Sequence, residues 1–238
     1  MASSNIRIES FRLIDFKNVI NGEVEVTDEK GLNNASVLGV YGQNGSGKTA
    51  IVDAIKILKS VLCGWSLNKL FAEYINVDAN RSRFEYAFLL NDNINSRIIH
   101  IDYSFEISKI EKDKELAEFH ENNERNEYVV QVFNESVKFS VSSNDFNIIL
   151  KKQDLVLTNS EDAFGPRTKY DLLTNKNKEV ELNLIVAKKY AQATSRSFIF
   201  CKEFINIFQE NCQDELYKFI LSSLSDFGKR NLFVIETA

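Results

Sequence analysis

The 238-residue sequence is poor in the residues that build most metal centres and nucleophilic sites. Its three cysteines, Cys63, Cys201 and Cys212, are widely spaced and form neither a metal-binding pattern nor a disulfide framework. There are two histidines, His100 in an apolar run and His120 in a charged stretch, so we expect no histidine triad and no zinc site. Free, buried or neutral thiols and a reducing cytoplasmic location are expected instead.

Long apolar runs are also missing. None reaches the roughly 20 residues that span a bilayer, and the N-terminus lacks the basic and apolar regions of a secretory signal. We find no internal repeat and no low-complexity linker. The net charge of −5 argues against a chain devoted to coating nucleic acid, although it leaves a local basic patch open. With 44% hydrophobic and 26% charged residues, the composition indicates one large globular domain or two small ones.

What the sequence does contain is a glycine-rich octapeptide at residues 42–49, Gly-Gln-Asn-Gly-Ser-Gly-Lys-Thr. It fits the phosphate-loop pattern G-x-x-x-x-G-K-[ST], with Gly42, Gly47, Lys48 and Thr49 at the fixed positions. At average residue usage, a chain of this length matches the pattern by chance about once in a hundred.

The flanks of the octapeptide fit a phosphate-binding loop. Residues 36–41 are a short apolar run, as expected of a buried strand, and residues 50–58 continue as a helix. The apolar residues at helical spacing on one predicted face are Ile51, Ala54, Ile55, Leu58 and Leu62. The alternative, a glycine-rich turn before an ordinary helix, leaves the Lys-Thr pair without a structural reason.

These residue types suit a nucleoside triphosphate with Mg²⁺. A helix N-terminus offers free N–H donors to phosphate oxygens, and glycines let the backbone approach them. The Lys48 ammonium can bridge the β- and γ-phosphates, and the Thr49 hydroxyl is a suitable Mg²⁺ ligand. Lys48 is thus the candidate catalytic residue and Thr49 the candidate metal ligand. The candidate nucleotide-binding residues are Gly42, Gln43, Asn44, Gly45, Ser46, Gly47, Lys48 and Thr49.

The rest of the chain divides into three parts by pattern. Residues 1–75 contain a predicted hairpin (6–16, with a bulge near residue 10, and 22–27), the loop, its helix to about Cys63, a stop at Gly64 and a possible short helix at 65–74. Residues 76–158 are predicted as an antiparallel β-rich segment, with strands at 84–90, 97–108, 127–133, 136–142 and 146–151. Residues 159–238 are predicted as mostly helical, with helices at 180–193, 196–210 and 214–223, a cap at Asp214 and a last strand at 231–235.

The hairpin before the loop resembles the head domain of ABC/SMC/RecF-class ATPases. The supporting residues are the Asn44-Gly45-Ser46 centre of the loop and the opening run through Phe16-Lys17-Asn18. Within that class, the chain is most similar to AAA15/OLD-like ATPases of bacterial defence and abortive-infection systems. The support is the hairpin and loop, the β-rich segment after the first helix, and the Ser197-Phe198-Ile199-Phe200 run with the segment Asp226 to Ile235. The fold expected from this resemblance is α/β: an ABC/SMC-like N-terminal lobe of a P-loop NTPase with an antiparallel β-rich insertion and a helical C-terminal part.

The resemblance implies ATP and Mg²⁺ as cofactors and ATP hydrolysis in a head-to-head dimer or higher oligomer. It also implies an effector protein or domain outside this chain, in anti-phage defence. A membrane partner is not expected, and a nucleic-acid partner has no support from the charge.

Several motifs of the class are not visible in the sequence. There is no serine-glycine signature and no hydrophobic strand ending in Asp-Glu; residues 232–236 end in a lone glutamate and are interpreted as an ordinary strand. Gln131 and Gln153 are positional candidates for the glutamine that contacts γ-phosphate and metal, but we interpret both as surface residues. Residues 175–178 lack the aspartate of a guanine-binding motif, which favours ATP over GTP.

These gaps lead to the hypothesis that the chain is the N-terminal portion of a longer ATPase. Two alternatives stay open. One is a self-contained P-loop kinase or GTPase, which would be active in isolation. The other is a non-catalytic interaction module in which nucleotide has a structural role.

Overall fold

The structure is a computed structural model. It describes residues 5–26, 40–43, 47–111, 128–143, 149–159 (backbone only), 178–230 and 232. In this part of the chain the strands are β1 Asn5–Phe16, β2 Val19–Glu25, β3 Arg81–Asp92, β4 Arg97–Glu111, β5 Tyr128–Ser143 and β6 Ile149–Asn159. The helices are α1 Lys48–Leu62, a 3₁₀ helix Lys69–Tyr74, α2 Lys178–Ala193, α3 Lys202–Asn211 and α4 Glu215–Arg230.

The strands form one antiparallel sheet in the order β2-β1-β3-β4-β5-β6. The predicted hairpin is confirmed, since β1 pairs with β2 and Leu13 lies opposite Gly22. The predicted bulge is confirmed as well, because the β1–β3 register shifts between Ile8 and Ser10. Through the β1–β3 pairing, strands of residues 1–75 and 76–158 lie in the same sheet. The three-part division of the chain itself stays a prediction.

The middle strands follow the predicted meander with two corrections. The strand predicted at 146–151 is β6, which continues to Asn159. The two strands predicted at 127–133 and 136–142 are wrong, because the single strand β5 covers both. The polar residues Asn134 and Glu135 separate the two predicted strands. The sheet instead accommodates Asn134 at a φ of 47° and shifts the β4–β5 register between Ser104 and Glu106. The break in the apolar pattern is therefore an irregularity inside a strand.

The helix predicted at 180–193 is confirmed as α2, while the other two predicted helices differ from α3 and α4 in their boundaries. Residues 196–201 form a turn, so α3 begins only at Lys202. Asp214 caps α4 as predicted, with Oδ1 accepting from the Leu216 N–H at 2.9 Å, and α4 continues to Arg230. Of the predicted last strand, only Leu232 is described, and it is not in a strand. Within the described residues, no helix is long and apolar enough to span a membrane.

The two faces of the sheet differ in chemistry because residues alternate along each strand. The helix-covered face is aromatic: Phe84 and Phe105 stack at 5.0 Å between ring centroids, and Tyr103 meets Phe200 at 5.4 Å. The opposite face carries charged side chains around a shallow depression of about 300 Å³, lined among others by Arg12, Glu23, Arg83, Glu85, Asp102 and Lys138. The core therefore lies between the sheet and one layer of helices.

A buried carboxylate joins the sheet to the α2–α3 turn. Glu135, on β5, is fully buried. Its Oε1 accepts hydrogen bonds from the hydroxyls of Tyr103, at 2.9 Å, and Ser197. Its Oε2 accepts from the backbone N–H groups of Phe198, at 2.8 Å, and Ile199, at 3.4 Å. Burial raises the pKa of Glu135, although these hydrogen bonds oppose the shift.

The end of α1 requires a glycine, as the sequence predicts. Gly64 has a φ of 65°, and a Cβ there would lie 2.2 Å from the carbonyl oxygen of Phe200.

Gly64→Ala should therefore lower the free energy of unfolding by at least about 2 kcal/mol, measured by urea denaturation. The control is Cys63→Ala at the neighbouring right-handed position, which should lose less than about 1 kcal/mol. Equal losses would contradict this account of Gly64.

Removal of the Glu135 carboxylate should be more damaging than its replacement by an amide. Glu135→Ala leaves two N–H groups and two hydroxyls without their acceptor, so a loss of about 3–5 kcal/mol in unfolding free energy is expected. Glu135→Gln should lose less, because the amide oxygen can accept from the N–H groups while its NH₂ donates to the hydroxyls. Chemical denaturation of both variants measures the difference.

The pH dependence of the same proteins provides a second readout. A carboxyl whose folded pKa exceeds its unfolded value contributes most to stability at low pH, and that contribution falls as pH rises through the folded pKa. The unaltered chain should therefore lose stability relative to Glu135→Gln over the pH range above the ordinary glutamate pKa of about 4.3, because burial raises the pKa of Glu135 in the folded state. A constant difference over that range would mean that Glu135 does not titrate as described.

Candidate phosphate-binding site

Helix α1 begins directly after Gly47, where the phosphate-loop pattern places a helix N-terminus. Gly47 has φ 90° and ψ 3°, a left-handed conformation that glycine adopts without strain. A Cβ at this position would also lie 3.3 Å from Cγ2 of Val19 on β2. Both the backbone conformation and the available space therefore favour glycine.

The first turn of α1 keeps its donors for a ligand. Gly47 is the N-cap residue of α1, no side chain among the described residues caps the helix there, and no acidic residue lies in its first turn. The first N–H groups of a helix have no intrahelical partner, and they carry the positive end of the helix dipole. Thr49, the candidate metal ligand, is exposed in this turn. The N-terminal end of α1 is thus suited to an anion.

Lys48 brings the two ends of the loop together. Its ammonium donates to the carbonyl oxygens of Gly42, at 2.5 Å, and Gln43, at 2.7 Å. Gly42 and Gln43 are exposed, and Lys48 is partly buried. The structure therefore places these two residues, Lys48 and Thr49 around one helix start. Asn44, Gly45 and Ser46 lie outside the described residues.

The strand predicted at residues 36–41, before the loop, is wrong for the two of its residues that the structure describes. Val40 and Tyr41 are not in a strand, and they are 38% and 94% exposed. Neither residue pairs with a strand of the six-stranded sheet, so the described part of the sheet does not cover their side chains. Residues 36–39 lie outside the described residues.

Helix α1 holds the loop against the sheet through its apolar face. Of the predicted face, Ala54, Leu58 and Leu62 are buried, while Ile51 and Ile55 are partly buried. The Tyr86 hydroxyl on β3 donates to the carbonyl oxygen of Ala54 at 2.9 Å. The direction of α1, and with it the position of its N-terminus, is therefore set by the sheet.

The structure shows an ion pair on α1 that the sequence did not predict. Asp53 on α1 is only 6% exposed, and its carboxylate pairs with Lys17 of the β1–β2 turn and, at 3.5 Å, with Lys56. The Lys17 ammonium also lies 3.9 Å from the centroid of the Tyr74 ring. The available signal was an aspartate on the apolar side of a helix. Its partner could not be identified, because Lys17 lies 36 positions away.

Gln131 and Gln153 are the two glutamines singled out from the sequence. Gln131 is buried in β5, so its interpretation as a surface residue is wrong; the side chain of Gln153 lies outside the described residues. The free thiols are confirmed, since Cys201 and Cys212 are buried and Cys63 is partly buried. Burial raises the pKa of each thiol, for Cys201 to about 12, so all three are neutral near pH 7.

The described residues fit a nucleotide phosphate. A left-handed glycine opens α1, the ammonium of the first helical residue reaches the other end of the loop, and no acidic side chain lies in the first turn to oppose an anion. Lys48 and the first N–H groups of α1 would hold the phosphates, and Thr49 would be the metal ligand.

Comparison with known proteins agrees with this geometry. Residues 37–205 match the protein family described as "AAA domain, putative AbiEii toxin, Type IV TA system". No curated protein gives a significant match to the chain. The family match spans more than half of the chain and includes the loop, α1 and most of the sheet. The chain therefore belongs to this family of AAA domains and contains a nucleotide-binding ATPase domain of the P-loop type.

Proposed function

We propose that the chain binds Mg-ATP at residues 42–49 and that ATP binding joins two copies head to head. Hydrolysis would then release the pair, as in ABC/SMC-class ATPases, with AAA15/OLD-like proteins as the nearest type. The observation that carries the nucleotide part is the convergence of the Lys48 ammonium and the uncapped start of α1. The family match supports an ATPase domain.

Lys48 would exchange one acceptor for another when ATP binds. Its ammonium now donates to two neutral carbonyl oxygens, and a phosphate oxygen is a stronger, charged acceptor. The N–H groups at the start of α1 would donate to the same phosphates. The Mg²⁺ that accompanies ATP neutralises charge on the β- and γ-phosphates, and Thr49 would direct its hydroxyl to that ion.

The exposure of the site supports a paired state. Tyr41, Gly42, Gln43 and Thr49 are all exposed, so a nucleotide held there would have one side in solvent. A second copy placed over this side would exclude water and supply further groups to the γ-phosphate. This arrangement would make ATP part of the interface and its hydrolysis the signal for separation.

The paired state would control an effector outside the chain, in bacterial defence against phage. Two observations support this part of the proposal. The sequence resembles AAA15/OLD-like ATPases of defence systems, and the description of the matched family names a toxin of a type IV toxin–antitoxin system. We further propose a cytoplasmic location for this activity.

Lys48→Ala should abolish or strongly weaken Mg-ATP binding by the 238-residue chain. Loss of a charge-assisted hydrogen bond corresponds to about 1.5–3 kcal/mol, or roughly a 10- to 150-fold rise in Kd. Isothermal titration calorimetry with Mg-ATP measures this change. Lys59→Ala is the matched control, since Lys59 lies in the last turn of the same helix. It should bind as the unaltered chain does.

Two outcomes of the titration would contradict the proposal. Binding that is equal in the unaltered chain and Lys48→Ala would place the nucleotide elsewhere. Tighter binding of Mg-GTP than of Mg-ATP would favour the GTPase alternative. Melting temperatures of all variants, measured without nucleotide, separate a loss of contact from a loss of fold.

A saturating non-hydrolysable ATP analogue should double the molar mass of the chain from 27.3 kDa. An analogue is used because hydrolysis would return the pair to single copies. Light scattering coupled to size-exclusion chromatography gives the mass directly, and Lys48→Ala should stay at the single-chain mass. If the unaltered protein keeps the single-chain mass at full nucleotide occupancy, the proposed dimerisation switch is wrong, while nucleotide binding still stands.

A further inference from the structure

The β1–β2 turn lies directly against the end of the phosphate loop. Val19, the first residue of β2, occupies the space beside Gly47, where a Cβ would be 3.3 Å from its Cγ2. Two residues of the turn region, Asp15 and Lys17, have positive φ values of 54°. For a residue other than glycine this conformation costs about 1–2 kcal/mol, so surrounding contacts must hold it in place.

On one side, the turn is held by the segment after the 3₁₀ helix. The Lys17 N–H donates to the carbonyl oxygen of Tyr74 at 2.5 Å, and Asn76 Nδ2 donates to the carbonyl oxygen of Lys17 at 3.1 Å. Phe16 and Ile75 form an isolated antiparallel bridge. These contacts fix the backbone of the turn relative to residues 74–76, but none of them involves α1.

On the other side, the Lys17 side chain reaches α1. Its ammonium pairs with Asp53, whose side chain is 8% exposed, while the Lys17 side chain is 20% exposed. Asp53 lies four positions after Thr49 and therefore on the same helix face, about one turn or 6 Å along the axis. Lys17 is the cation that connects this carboxylate to the hairpin, because Lys56, its other partner among the described residues, lies on α1 itself.

We infer that Asp53 is a positioning residue for the phosphate loop. Through Lys17 it holds the β1–β2 turn against α1, so that Val19 stays beside Gly47. Gly47 is then held in the left-handed conformation that directs the first N–H groups of α1 towards the phosphates. The inference rests on the proposed function and adds to it the means by which the loop is kept in shape.

A purely structural ion pair would behave differently in one measurable respect. If Asp53 and Lys17 only stabilised the fold, their removal would lower the melting temperature and leave the nucleotide affinity of the folded protein unchanged. A positioning role changes the affinity at temperatures where every variant is folded. Because the loop holds phosphates common to both nucleotides, Mg-ATP and Mg-ADP should be affected equally.

The test is a double-mutant cycle on nucleotide affinity, with Lys17→Met, Asp53→Asn and the two combined. Each single variant should bind Mg-ATP and Mg-ADP about tenfold more weakly, and the combined variant should be no weaker than the singles. Lys56→Met is the matched control. It removes a lysine that pairs with the same carboxylate at 3.5 Å but belongs to α1, and it should stay within about twofold of the unaltered chain.

The results separate the possibilities. Unchanged affinity in Lys17→Met and Asp53→Asn, with a lowered melting temperature, overturns the inference and leaves the proposed function standing. A loss confined to Mg-ATP also overturns it, since that would mean direct contact of Lys17 with the γ-phosphate. If the unaltered chain shows no Lys48-dependent binding, both the inference and the proposed function are wrong.

Hydrogen exchange on the unaltered chain gives an answer that does not depend on the folding of variants. Mg-ATP should slow exchange of the backbone amides at residues 16–20, in the β1–β2 turn, as well as at the start of α1. Lys48→Ala should show neither change. Protection of α1 alone, with the turn unaffected at full nucleotide occupancy, would show that the turn is not coupled to the loop.

Discussion

The packing of α1 on the aromatic face of the sheet is the constraint on which the candidate site depends. The helix buries small residues, Ala50 and Ala54, close to the strands, and the Tyr86 hydroxyl reaches its backbone. At the other end Gly228 of α4 approaches so closely that a Cβ would lie 2.7 Å from Cβ of Leu62. The helix is thus packed closely near both of its ends. A phosphate-binding N-terminus is useful only if it is held in this way.

Two buried carboxylates, Glu135 and Asp53, each connect segments of this structure, and they have different kinds of partners. Glu135 accepts hydrogen bonds from neutral hydroxyls and N–H groups, so burial dominates and its pKa rises. Asp53 is paired with two lysines, and it joins the hairpin turn to α1 rather than the sheet to a turn. In both cases a carboxylate links segments that are distant in sequence. Removal of the Glu135 carboxylate would leave buried hydroxyls and N–H groups without their acceptor, whereas removal of the Asp53 carboxylate would break the ion pair between the hairpin turn and α1.

The sequence was sufficient for features with local causes. The hairpin, its bulge, α1, the stop at Gly64 and the cap at Asp214 depend on alternation, helical spacing and single-residue conformations. It was insufficient where a distant contact overrides the local pattern. Asn134 lies within β5 because β4 continues beside it, and α3 starts late because Glu135 holds the preceding turn. The Lys17–Asp53 pair has no local signature, since its members meet only when the hairpin packs on α1.

The sequence by itself determined that an anion-binding octapeptide precedes a helix, because glycine spacing and a Lys-Thr pair are properties of consecutive residues. It also determined an antiparallel character for the middle of the chain through the period of its apolar residues. Tertiary structure alone decided what stands beside the loop: Val19 against Gly47, and Lys17 on Asp53. The physical reason is that burial and charge pairing depend on distance in space. A sequence records neighbours along the chain and leaves that distance to the packing of sheet and helix.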